Sequence, residues 1–287
     1  MIASMRAELL RVGRWPTVWV LSGTWLVLNL SFGYLFNYLS YRSEDGGGFA
    51  GQVADQAAAG VLLSQLMPDR APVVLVQGLP MFGGALLLIL GAVTVGSGYG
   101  WGTWKTVFTT GPSRMAALAG TLGTLAILLV GLIVATFALD LAAAFAVAAA
   151  ESQPAAWPAL VDAAQGLGAG LLIGAMWMAA GVLLGTLARS PALAVGLGLV
   201  WALVVENLLR GVAGLLGPLE AVTNVLPGTA AGSLAAALGA LTQGDPNGTP
   251  GVTAAIGGTA ALVLLAGYLA AFLGVAAALT TRRDVTA

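Results

Sequence analysis

Long apolar runs divided by short polar stretches set the organisation of this chain. Six of them reach the roughly 20 residues that an α-helix needs to cross about 30 Å of hydrocarbon. They fall at about 15–38, 73–97, 115–139, 163–187, 191–209 and 251–279. The expected fold class is all-α: a polytopic membrane protein with about six transmembrane helices in a single transmembrane domain, 1–287. The segment 1–14 ahead of the first run is amphipathic and carries Arg6, Glu8, Arg11 and Arg14. Arginines before an apolar run suggest a signal peptide. The run at 15–38 is longer than an ordinary signal core and lacks a small-residue cleavage site, so a retained first span is expected. The third apolar run continues through Asp140 as far as Ala150. Met115 to Asp140 measures roughly 37 Å at about 1.5 Å per residue, which places Asp140 at the outer interface.

The segments between runs differ in kind. Residues 39–72 are long and polar, with Glu44, Asp45, Gly46-Gly47-Gly48 and Asp55. An irregular loop with a short helix is expected there, either solvated or in contact with substrate. Residues 210–250 are too apolar for an ordinary loop and are broken by Pro218, Pro227 and Pro246. Re-entrant or interfacial helices follow, because irregular backbone at membrane depth survives only when buried in protein or facing a cavity. Asn247-Gly248-Thr249 matches a glycosylation sequon and is read as a chance match in a Gly/Pro-rich turn. In 99–114, a helix starting near Gly100 places Trp101, Trp104 and Phe108 on one face and Thr103, Thr106 and Thr110 on another, closing at Gly111-Pro112. It is too short to span. Its aromatics either anchor in the headgroup zone or fill a partner's groove, and periodicity alone does not choose.

Charge orients the array. Only 8% of residues are charged, against about 25% in soluble domains. With cytoplasmic termini, Arg6, Arg11, Arg14, Lys105, Arg114, Arg189, Arg282 and Arg283 fall inside, 8 of the 11 basic residues, leaving Arg42, Arg70 and Arg210 outside. Ten of the 12 acidic residues fall outside or near the outer ends. Both counts favour N-in, C-in. The net charge of −1 with a single Lys offers no surface for nucleic acid. The absence of Cys and His removes thiol nucleophiles, most zinc sites and the commonest general base, so no catalytic or metal-ligating set is expected. Glu206, near the outer end of the fifth span, has Arg210 one turn later, placed for an ion pair that either anchors that end or gates substrate. In the fourth span Gly166, Gly170 and Gly174, and then Gly181 and Gly185, form two sets each at a spacing of four, the pattern that lets a neighbouring backbone approach closely.

Along nearly its full length the chain resembles a bacterial ABC-2 type permease. The resemblance rests on Met5-Arg6-Ala7-Glu8-Leu9-Leu10-Arg11, Gly102-Thr103 with Lys105, and Pro112-Ser113-Arg114. Further along it rests on Gly185-Thr186-Leu187-Ala188-Arg189-Ser190, Trp201 with Glu206-Asn207-Leu208-Leu209, Leu226-Pro227 and Arg282-Arg283-Asp284. One departure is Gly98, where the family often has a Glu. The resemblance implies that the N-terminal segment is an elbow on the inner surface. It also implies that Trp101, Gly102, Thr103, Trp104, Lys105 and Phe108 belong to a coupling helix docked on a separate ATPase. No Gly-x-x-x-x-Gly-Lys-Ser/Thr phosphate loop occurs, so this chain is expected to bind no cofactor, with ATP and Mg held by the partner. The expected assembly is two ATPase subunits with a second permease copy or a paralogue, in the cell membrane. It would export an amphipathic or hydrophobic drug, antibiotic, lipid or peptide. A secondary transporter, an intramembrane enzyme and a membrane scaffold are the rivals. The first would need ion-coupling groups near the midplane, where charges are scarce in the sequence.

Overall fold

The computed structural model describes residues 2–42, 56–110, 113–213, 217–245 and 247–282. Among the described residues there is no strand, and six helices are long and apolar enough to cross a membrane. They are Pro16–Arg42, Pro68–Gly100, Arg114–Ala150, Leu160–Ala188, Pro191–Val212 and Gly258–Arg282, the first to sixth spans below. The protein is an all-α, multi-pass membrane protein. Glu44, Asp45, Gly46 to Gly48, Asp55, Gly111, Pro112, Pro246, Arg283 and Asp284 lie outside the described residues, as do the side chains of Lys105, Phe108 and Thr110.

Both termini emerge at one end of the bundle, the terminal face. Arg114 Nη1 donates to Thr281 O (3.4 Å), joining the start of the third span to the end of the sixth. The amphipathic helix Ile2–Gly13 lies against the first turns of the third span, where Thr124 Oγ1 donates to Met5 O (3.4 Å).

Span limits differ from the sequence expectation where tertiary contacts intervene. The third span runs unbroken through Asp140 to Ala150 because no Gly or Pro follows and the carboxyl has a partner inside the protein. The sixth starts at Gly258, not 251. Residues 251–257 instead cross the short helix Pro227–Ala237: Gly251 (φ +88°) sets its carbonyl against Gly232, and the Ile256 N–H donates to Ser233 Oγ (3.4 Å). Pro227–Ala237 is buried from Pro227 to Ala235 among the sixth span and the first half of the second. Before the sixth span, Asp245 accepts from Thr242 N (2.8 Å) and Thr242 Oγ1 (2.7 Å), bonds that hold its carboxyl below the ordinary range.

The second span bends at Leu79–Gly83, a π-helical turn. Pro80 has no N–H to give, and the Gly83 N–H reaches back five residues to Gly78 O (2.9 Å). Similar turns at Ser31–Leu35 and Val200–Val205 contain no proline, and no local sequence feature explains them.

Two of the interfaces in the bundle are built in contrasting ways. The second and fourth spans make its most extensive contact. Cβ atoms at Gly181 and Gly185 would run into the carbonyls of Leu88 and Ala92, so these glycines, the second set of the pattern seen in the sequence, set how close the two backbones come. The first and third spans are joined by side-chain hydrogen bonds instead.

Candidate functional site

The terminal face carries the residues singled out for partner contact. The second span ends at Gly100, Trp101 follows it, and Gly102 (φ +65°) makes the left-handed turn that lets Thr103–Thr110 begin as a separate helix. Trp101 therefore lies outside that helix and does not share a face with Trp104. Trp101 is 69% exposed, with its ring centroid 5.7 Å from that of Trp15. Trp104 turns inward. It is 7% exposed, its indole N–H donates to Val95 O (3.3 Å), and its ring fills the space that a Cβ at Gly98 would need. The single aromatic face expected from periodicity is thus divided between an outward Trp101 and an inward Trp104. Gly98, the departure from the family pattern, is the residue that admits the Trp104 ring.

The elbow segment is fastened to the same region. Glu8 and Arg11 form an ion pair (2.8 Å), Arg11 Nη2 donates to Thr94 O (3.2 Å), and the guanidinium lies 5.6 Å from the Trp15 ring centroid. Arg6 and Arg14 are exposed. Arg11 bonds the Thr94 carbonyl and Trp104 the Val95 carbonyl, so the N-terminal helix and the short helix each grip the same turn of the second span, where the Tyr99 and Trp104 rings lie 6.0 Å apart.

Two carboxyl groups are buried deeper. Glu206 is fully buried, and its Oε1 accepts the Gly228 N–H (3.1 Å) at the start of Pro227–Ala237, where helical N–H groups lack intrahelical partners. The expected ion pair with Arg210 is not formed. Arg210 Nη2 donates to Asn207 Oδ1 (3.0 Å) and Nε to the Glu206 carbonyl (3.4 Å). The reason is reach: the carboxyl is drawn away from its own helix toward Gly228, so Glu206 joins the fifth span to the buried short helix.

Asp140 is also fully buried, and Oδ1 accepts from Asn29 Nδ2 (2.6 Å). Asn29 lies thirteen residues past Pro16, about 20 Å up the first span and well inside a 30 Å hydrocarbon layer. Asp140 is thus paired inside the bundle, beside the middle of the first span, rather than facing outward at a helix end.

Asp140 belongs to a ladder. Trp25 Nε1 donates to Thr136 Oγ1 (3.0 Å), Asn29 to Asp140, and at the far end Tyr38 Oη and Tyr41 Oη donate to Glu151 (2.6 and 3.3 Å), which Arg42 also pairs (3.1 Å). The sequence offsets between partners are 111, 111, 113 and 110, so the two spans run parallel and in register. The signal was present but unpaired: Trp25 and Asn29 are four apart, as are Thr136 and Asp140. No family model and no curated protein matches the chain. Its site is therefore argued from this geometry alone.

Proposed function

We propose that this chain is the membrane-spanning permease subunit of an ABC-2 type exporter, working as a dimer with itself or a paralogue and driven by two separate ATPase subunits that hold ATP and Mg. The observation that carries the reading is the construction of the terminal face. The short helix Thr103–Thr110 hangs from the second span by a glycine turn and is riveted to it by Trp104, while the elbow helix bonds the same stretch of that span through Arg11, and Trp15, just after it, stacks near Trp101. A push on the short helix reaches the bundle through packed rings and a buried hydrogen bond, which is what rigid-body switching of access requires. In this reading the terminal face is cytoplasmic, the membrane is the cell membrane, and the exported substrate is amphipathic or hydrophobic.

Trp101 is the docking aromatic and Trp104 the rivet. Trp101→Ala should leave the permease folded while reducing co-purification of its ABC ATPase by about tenfold or more, as truncation of a buried interface aromatic does. Trp104→Ala should lower thermal stability first, by opening a cavity beneath the helix. Full ATPase binding and unchanged transport in Trp101→Ala sink the coupling assignment. Orientation is checked in this naturally Cys-free chain with single Cys residues at Arg189 and Asp245: an impermeant thiol reagent added to intact cells should label 245 only.

A second reading has one observation in its favour. Asp140 and Glu206 are carboxyl groups fully buried among spans, the kind of residue that marks ion pathways. Transport that needs a proton or sodium gradient and proceeds without the ATPase would favour an ion-coupled secondary transporter.

A further inference from the structure

At the far face, between the starts of the second and fourth spans and the end of Pro227–Ala237, lies a cavity of about 430 Å³. Asp69, Arg70, Asp162 and Gln165 line it, with Pro72 and Leu238 supplying apolar surface. The cavity has firm walls. Pro72 packs so closely on the fourth span that a Cβ at Gly166 would come within 2.7 Å of it, and at Gly239 (φ +98°), in the turn after the short helix, an added Cβ would lie 3.6 Å from Arg70 Nη1.

Arg70 is half-buried in the cavity wall, and Asp69, Asp162 and Gln165 are exposed at its mouth. Opposite charges face a shared space, yet among the described residues no ion pair or hydrogen bond engages the side chains of Asp69, Arg70, Asp162 or Gln165. Arg11 and Arg42, by contrast, have carboxylate partners: Arg11 bonds Glu8, and Arg42 bonds Glu151. A half-buried guanidinium held apart from two carboxylates matches an occupant that carries both charges. A planar guanidinium presents a fork suited to a carboxylate or phosphate, and the aspartates suit an ammonium. The apolar wall at Pro72 and Leu238 suits an alkyl portion.

We propose that this cavity binds a zwitterionic amphiphile, with its acidic group on Arg70, its ammonium on Asp162 and Asp69, and its apolar part against Pro72 and Leu238. The cavity opens where the second span begins at Pro68 and the fourth at Leu160, the level of lipid headgroups, so both a lipid and a dissolved zwitterion can reach it. The site stands apart from the exporter reading, since binding needs neither ATPase nor transport.

The test is calorimetric titration of the full chain purified in an uncharged maltoside detergent. The probes are short-chain phosphatidylethanolamine and an apolar dipeptide. The single-charge comparisons are short-chain phosphatidylglycerol, which lacks the ammonium, and an alkylammonium salt. Wild type should bind at least one zwitterion about tenfold or more tightly than either single-charge analogue, and Arg70→Gln or Asp162→Asn should remove that preference with unchanged melting temperature. Binding of the phospholipid alone assigns the site to a headgroup, and binding of the dipeptide assigns it to a soluble zwitterion; either upholds the proposal. Equal affinity for zwitterion and single-charge analogues overturns it with no variant needed. Failure of both zwitterions to bind, or an unchanged preference in folded variants, does the same.

Discussion

The interface between the second and fourth spans and the one between the first and third solve the same problem in opposite ways. In lipid there is little hydrophobic drive to bring helices together, so packing and interhelical hydrogen bonds must do so. The first interface removes side chains: Gly181 and Gly185 let one backbone touch the carbonyls of the other. The second adds polar groups: Trp25 to Thr136, Asn29 to Asp140, and the tyrosines and Arg42 to Glu151. The glycine contact depends on shape at every turn and fails if one position is filled. The ladder depends on pairing, so its rungs can be removed together at lower cost than singly.

The sharpest break of this contrast is Gly181→Leu, which has no room against Leu88 and should destabilise by about 3 kcal/mol or more, or prevent folding. Gly168→Leu on the same helix, where a Cβ meets nothing, should change thermal unfolding by less than about 0.5 kcal/mol. If the two variants melt alike, close backbone approach is not what holds the fourth span. Next in size, Asn29→Leu leaves the Asp140 carboxyl without its donor and should cost about 1 to 3 kcal/mol. The Asn29→Leu/Asp140→Leu double variant should cost less than the sum of its parts. Additive losses in that cycle would show that the rung is not a coupled unit. Smallest is Trp25→Phe, which deletes one interhelical bond and keeps most of the ring. A loss of about 0.6 kcal/mol is expected, and a loss as large as that of Gly181→Leu would erase the difference between the interfaces.

The sequence alone determined the class of solvent, the number of spans and the glycine face, because run length, charge scarcity and a spacing of four are local properties that each helix carries by itself. It also marked 210–250 as a segment that water would not suit. It could not pair residues about 111 positions apart, so the bond between Asn29 and Asp140 was not legible in it, and Asp140 was placed by counting along its own helix alone. Nor could it tell which way a tryptophan turns. Helical periodicity put Trp101 and Trp104 together, and the left-handed turn at Gly102 with the open space at Gly98 sent one outward and the other inward. The Glu206 carboxyl had a charged neighbour four residues on, yet its bond went to the Gly228 amide. An unpaired helix N-terminus brought close by folding competes for a carboxylate as well as a local arginine does, and only tertiary structure decides which lies within reach.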